Sequence, residues 1–271
     1  MRALIVGHGL AGAQLGHMLL DDGWEVRWFA DPGRPGASPL SIGLLVESWI
    51  TPFVPTVRDV LASLDERYGF LGAELRGRRV PQLEGSRVLE ATPAEFIIPA
   101  RVRTVGPGQV RYVKQGEAET EATAHLVIVA AGAWSAELVR CRVAPRWGAA
   151  FRFQEAPGPV LKMWAPFRHL VLAQHADGYW WGGDGGSYKA NDPARWAAAR
   201  TRLELAGARG YLGHTAAPCP TAVGAKLGIF QRLERGLMVA TGGNKSTTVL
   251  AAHWALRLRQ QLRRERGRFI A

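Results

Sequence analysis

The sequence predicts an α/β protein, with a parallel nucleotide-binding sheet and an antiparallel sheet of different texture set into it. Three observations carry this. The chain opens on a strand, a G-x-G-x-x-G turn and a helix. A second strand, glycine turn and helix stand near the other end. Between them, short aromatic-rich segments alternate with Pro/Gly turns.

The opening unit runs from Arg2 to Asp31. Ala3-Leu4-Ile5-Val6 is a short apolar strand, followed by Gly7-His8-Gly9-Leu10-Ala11-Gly12. Gly7 permits the tight turn, Gly9 lets backbone approach a pyrophosphate, and Gly12 lets the helix pack on the strand. The free N–H groups at the helix start hold phosphates. Ala11, Leu15, Met18 and Leu19 recur at helical spacing, so the helix has a buried face running to about Asp22. Gly23 stops it, and Trp24 to Ala30 is the second strand. The acid that holds a ribose is expected at Ala30; the nearest acid is Asp31, one residue later.

The elements that follow are read in the same way. Pro32 to Pro39 is a turn-rich loop, and Ser41 to Val46 resumes with small and apolar residues. Thr56 to Tyr68 is a helix, with Thr56 and Asp59 as a capping box and Gly69 as its stop. Glu95 to Ile98, Val110 to Val113 and Leu126 to Ala130 are strands, the last apolar throughout as in a strand buried on both faces. Ala149 to Gln154, His169 to Ala173 and Tyr179 to Gly182 form the antiparallel sheet. Asp192-Pro193 is an N-cap and first-turn pair opening a helix to about Ala206. Leu237 to Ala240 is a strand, and Thr247 to Arg264 the closing helix.

Composition bounds the rest. The 271 residues are 47% hydrophobic and 21% charged, an ordinary globular balance. No apolar run is long enough to span a bilayer. Met1-Arg2 runs straight into a strand, which reads as no leader, and Cys141 and Cys219 are too few for a disulfide framework, so a cytoplasmic protein is expected. The seven histidines show no metal-ligand spacing. A net charge of +11 attracts polyanions, or reflects arginines scattered over the surface.

A second glycine-rich turn feeding a helix supplies a second patch of N–H dipoles. One patch suffices for a pyrophosphate. Two suggest a cofactor whose other end also gathers negative charge, as a reduced flavin does.

In these segments (Leu4 to Leu45, Leu126 to Ser135 and Gly236 to Ala251) the chain resembles the FAD-dependent oxidoreductases of the D-amino acid oxidase/glycine oxidase superfamily, as a shortened member. The resemblance implies a Rossmann-like FAD-binding domain with an interleaved antiparallel-sheet substrate domain. The FAD-binding domain would take residues 1–63, 92–145 and 216–271, and the small substrate domain 64–91 and 146–215. It implies that Gly7, Gly9, Leu10, Ala11 and Gly12 hold the pyrophosphate, with Asp31 at the ribose. Ala37 and Ser38 would lie by the flavin, Val102 by the adenine, and Ala131, Gly132 and Trp134 along the cofactor. Gly242, Gly243, Asn244, Lys245, Ser246, Thr247 and Thr248 would sit at the isoalloxazine ring. The catalytic candidates are Lys245, a cation beside reduced flavin, and Lys226, which stands where the family has an arginine for the substrate carboxylate. Lysine lacks the bidentate fork, so that grip would differ. Trp49, Trp164, Tyr179, Trp180 and Trp181 could wall the substrate pocket, but Trp180 and Trp181 face opposite sides of a strand.

The expected reaction is hydride transfer from an amine-bearing carbon to flavin N5, giving an imine and then a carbonyl, with molecular oxygen reduced to hydrogen peroxide. No dedicated acid/base pair is required. The amine is a glycine-like group on a DNA or RNA base, read from the charge, or a free small amino acid such as glycine, sarcosine or a D-amino acid. A nicotinamide-dependent dehydrogenase is the competing class. No membrane partner is expected, and the sequence leaves the oligomeric state open.

Overall fold

The structure, a computed structural model, describes residues 1–34, 36–45, 54, 56–75, 78–165, 168–185, 188–224, 228–243 and 247–269. In chain order the strands are β1 (Arg2–Val6), β2 (Glu25–Ala30), β3 (Leu71–Leu75), β4 (Arg78–Gln82), β5 (Ile97–Gly106), β6 (Gln109–Lys114), β7 (Thr120–Thr123), β8 (Leu126–Val129), β9 (Val143–Glu155), β10 (Val160–Ala165), β11 (Arg168–Gln174), β12 (Trp180–Gly183), β13 (Arg209–Ala222), β14 (Ile229–Glu234) and β15 (Leu237–Thr241). The helices are α1 (Leu10–Asp21), α2 (Val57–Tyr68), α3 (Gly85–Glu90), α4 (Ser135–Leu138), α5 (Pro193–Leu205) and α6 (Thr247–Phe269).

One eight-stranded sheet has the order β14-β15-β8-β1-β2-β5-β6-β7. Its centre, β15-β8-β1-β2-β5, is parallel, and β14, β6 and β7 extend it antiparallel. β1 shows why the centre is apolar throughout. Ala3 and Ile5 face one core with α1 and α6, while Leu4 and Val6 face another with Phe29, Val127 and Val129. Pairing of β1 with β2 on one side and β8 on the other opens a crevice at the strands' C-terminal ends, where such sheets bind ligands.

The second sheet is five-stranded and antiparallel, in the order β10-β11-β12-β9-β13. Phe151, Phe153, Leu170 and Leu172 pack on one of its faces with Trp196 and Leu203 of α5. Asp192 caps α5 as the sequence predicts, its side chain accepting the Ala194 N–H at 3.0 Å. Two local expectations fail. Thr56 makes no side-chain cap bond at the start of α2. The stretch Arg209–Ala222, not foreseen as a strand, is a fourteen-residue one. Among the described residues no helix is long and apolar enough to cross a membrane.

Candidate active site

The glycine turn after β1 is shaped by its own contacts. Gly7 has φ +109°, and a Cβ there would strike the Ala130 carbonyl. α1 begins at Gly9, which has no side chain to cap it. Ser38 serves instead: its hydroxyl accepts the Leu10 N–H at 2.9 Å. A Cβ on Gly9 would come within 2.9 Å of that hydroxyl. Gly12 acts differently. A Cβ there would run into the Gly7 carbonyl oxygen, so its role is packing of helix on turn, and it does not line the cavity.

That cavity, of about 530 Å³, opens over the turn and joins most of the residues singled out from sequence. Gly7, Gly9, Leu10 and Ala11 line it, with Asp31, Ala37, Ser38, Val102, Ala131, Gly132, Trp134, Gly242, Thr247 and Thr248. The two glycine turns therefore face one space. α1 and α6 are tied beside it, Gln14 Nε2 donating to the Thr248 carbonyl at 3.0 Å. Thr241 Oγ1 donates to the Gly132 carbonyl at 2.8 Å, joining the ends of β15 and β8. The antiparallel sheet forms another wall through Gly148, Ala149, Val171 and Gly183.

Asp31 lies on the wall although it follows β2 by one residue. Its Oδ1 accepts the Gly33 N–H at 2.9 Å. Arg34, which sequence reasoning missed, holds it in place, with Nε 3.5 Å from Asp31 Oδ2 and Nη2 2.7 Å from Glu137 Oε2. The same guanidinium lies 4.9 Å from the centre of the Trp134 ring. The available signal was a cation three residues beyond Asp31.

Other predicted residues lie away from this cavity. Tyr179 and Trp181 do not line the cavity. Arg152 packs 3.8 Å from the Tyr179 ring centre and 6.0 Å from that of Trp181, while Asp177 accepts the Trp181 indole N–H at 3.2 Å. Trp180 packs against the core beneath α5, on the opposite face. Gly243 is also absent from the cavity wall, paired with Thr221 in an isolated bridge. Trp49, Lys226, Asn244, Lys245 and Ser246 lie outside the described residues, as does the side chain of Trp164.

Three buried polar groups near the site also went unread. The Glu84 carboxylate accepts the Ala176 N–H at 2.8 Å and lies 3.2 Å from His175 Nδ1. Asp184, on the cavity wall, accepts from Tyr188 and Arg202, each at 2.6 Å. Burial, and then the bond to Asp184, push the Tyr188 phenol up to about 12. The third group begins at His8, on the cavity wall inside the glycine turn, and continues through Thr92 to His17. Burial lowers His8, and burial, with the charge of Arg67 adding, lowers His17 to about 4.

No protein-family model matches the chain, and no curated protein matches it in sequence. Solved structures match closely in shape. L-proline dehydrogenase from P. horikoshii superposes with a TM-score of 0.73 at 12% identity, over 96% of this chain and 93% of that one. Glycine oxidase from Geobacillus kaustophilus gives 0.69 at 15%, over 97% and 95%. Iminodiacetate oxidase from Chelativorans sp. BNC1 gives 0.65 at 16%, over 94% and 93%. The chain therefore has, over nearly its full length, the glycine oxidase fold that its sequence resemblance implied.

Proposed function

We propose that the protein is an FAD-dependent oxidoreductase that oxidises the amine-bearing carbon of a small amine or amino acid. One observation carries the reading: two helix-opening glycine turns and the face of a separate antiparallel sheet line a single cavity.

The residues present fit the cofactor. Gly9 leaves room on the cavity side where a Cβ would intrude, and the first residues of α1, Leu10 and Ala11, line the same space, which suits a phosphate. Asp31, steadied by Arg34, suits the ribose. The N-terminal end of α6 suits the developing charge at the flavin edge. Bound there, FAD would supply the hydride acceptor for the amine-bearing carbon, with molecular oxygen as the final oxidant giving hydrogen peroxide. The sheet wall of Gly148, Ala149, Val171 and Gly183 is uncharged, and the Asp184 carboxylate beside it is held by Tyr188 and Arg202. Such a surface desolvates an ammonium and favours the neutral amine that hydride loss requires. The imine then hydrolyses to a carbonyl compound and ammonia or a smaller amine. Lys226 gripping a carboxylate and Lys245 beside the flavin belong to the same reading.

The charge surplus does not gather at this cavity among the described residues. Arg34 on its wall is paired with Glu137, and Arg67, Arg111, Arg195, Arg202, Arg232 and Arg259 also pair with acids. A free small amine is therefore favoured over one carried on DNA or RNA. The test is the visible spectrum of the purified protein, followed by anaerobic addition of glycine, sarcosine, proline or iminodiacetate. A yellow protein bleached by one of them is expected. A colourless protein that takes up a nicotinamide dinucleotide overturns the cofactor assignment. Bleaching by an amine-bearing oligonucleotide alone overturns the small-molecule substrate.

A further inference from the structure

Four side chains form one hydrogen-bonded file that starts in the glycine turn. His8 Nε2 lies 2.9 Å from Thr92 Oγ1, Thr92 Oγ1 lies 2.7 Å from His17 Nε2, and His17 Nδ1 lies 2.8 Å from Tyr68 Oη. His17, Thr92 and Tyr68 are buried, with relative exposures of 1%, 5% and 7%. Arg67 lies at the far end, its guanidinium carbon 5.8 Å from the centre of the Tyr68 ring.

Counting protons gives the file a direction. Thr92 has one hydroxyl proton and, among the described residues, no acceptor for it but the two imidazoles, so satisfying that proton makes one histidine the acceptor and leaves the other to donate. Suppose Thr92 donates to His17. His17, being neutral, then carries its proton on Nδ1 and gives it to Tyr68 Oη. The phenol proton is left inside the protein with no acceptor among the described residues, a costly state. The reverse direction satisfies every group. Tyr68 donates to His17 Nδ1, His17 Nε2–H donates to Thr92, and Thr92 donates to His8 Nε2. His8 must then carry its proton on Nδ1.

We propose that this file fixes His8 as the Nδ1–H tautomer and makes that N–H a hydrogen-bond donor to the phosphates held by the glycine turn. The inference rests on the dinucleotide reading of the cavity. His8 lines that cavity between Gly7 and Gly9, and its Nδ1 has no partner among the described residues. A donor oriented before the ligand arrives loses less freedom on binding than a free side chain. Burial opposes protonation of both histidines, which keeps the file in its neutral, one-way arrangement. The charged groups nearest the file are Arg67 and its ion-pair partner Asp21, both at the Tyr68 end.

Two substitutions separate donor from anchor. In His8→Asn the amide can occupy the Nδ1 place; in His8→Gln it occupies the Nε2 place. FAD affinity, read by flavin fluorescence on the protein stripped of flavin and reloaded, should stay within about threefold of wild type for His8→Asn and weaken about tenfold or more for His8→Gln. Thr92→Val, which leaves His8 in place, should weaken binding by an intermediate factor. Equal weakening by both His8 variants, or none by His8→Gln, overturns the proposal. Nitrogen-15 NMR of the flavin-free protein should show a protonated Nδ1 and a bare Nε2 on His8; the opposite tautomer overturns it without any ligand. A wild-type protein that takes up no FAD fails the proposed function instead, and the NMR result still decides the file.

Discussion

The Ser38 hydroxyl accepts the backbone N–H of Leu10 at 2.9 Å, so a residue 28 positions away caps the helix that follows the first glycine turn. Ser38→Ala should cost about 1 kcal/mol of stability, the usual value of a lost helix cap, measured by urea unfolding. No change in the midpoint would mean that the cap contributes nothing.

Gly9 and Gly12 should fail in different ways. Gly9→Val places a side chain against Ser38 and in the phosphate space, so the folded protein should purify without flavin colour. Gly12→Ala drives a methyl into the Gly7 carbonyl, so its main effect should be on folding yield and thermal midpoint. Full flavin content in purified Gly9→Val would remove the turn from the binding site.

Acid should weaken the fold through His17. Burial, with the charge of Arg67 adding, lowers its imidazole from 6.5 to about 4 in the folded protein. Between these values the unfolded chain binds a proton that the folded chain refuses. Stability is therefore complete above pH 6.5 and falls as pH drops toward 4, by about 3 kcal/mol in total. His8, also lowered by burial, adds to the loss in the same direction. Urea midpoints across this window should fall with pH in the wild type and less steeply in His17→Gln. Parallel slopes for the two proteins would show that His17 does not titrate this way.

Lys226→Met should raise KM for a carboxylate-bearing amine, at a cost of roughly 1.5–3 kcal/mol for one charge-assisted hydrogen bond, and leave a decarboxylated analogue nearly unchanged. Equal effects on both analogues would take Lys226 out of the site.

The parts of this protein legible in sequence are those whose signals are local. β1, the glycine turn and α1 follow one another without a gap, and Gly242 and Gly243 likewise stand between β15 and α6. β13 was hidden because its sequence holds two glycines and two prolines. It lies at the edge of the five-stranded sheet, where one side needs no ladder partners and proline is tolerated. The roles of Tyr179 and Trp181 could not be read, because residue type does not tell whether Arg152 and Asp177 will engage them. The file from His8 was equally hidden: Thr92 is 84 positions from His8 and 75 from His17, beyond any local pattern.

The bond between Gln14 and Thr248 spans 234 positions. A ribosome delivering this chain at about 5–20 residues per second releases the first glycine turn long before α6 exists to meet it. The nascent protein therefore carries half a cofactor cradle, with the apolar face of α1 waiting for Trp254 and Leu258. On the proposed function, capture of the cofactor is therefore a late event in biogenesis, possible only once α6 has been made.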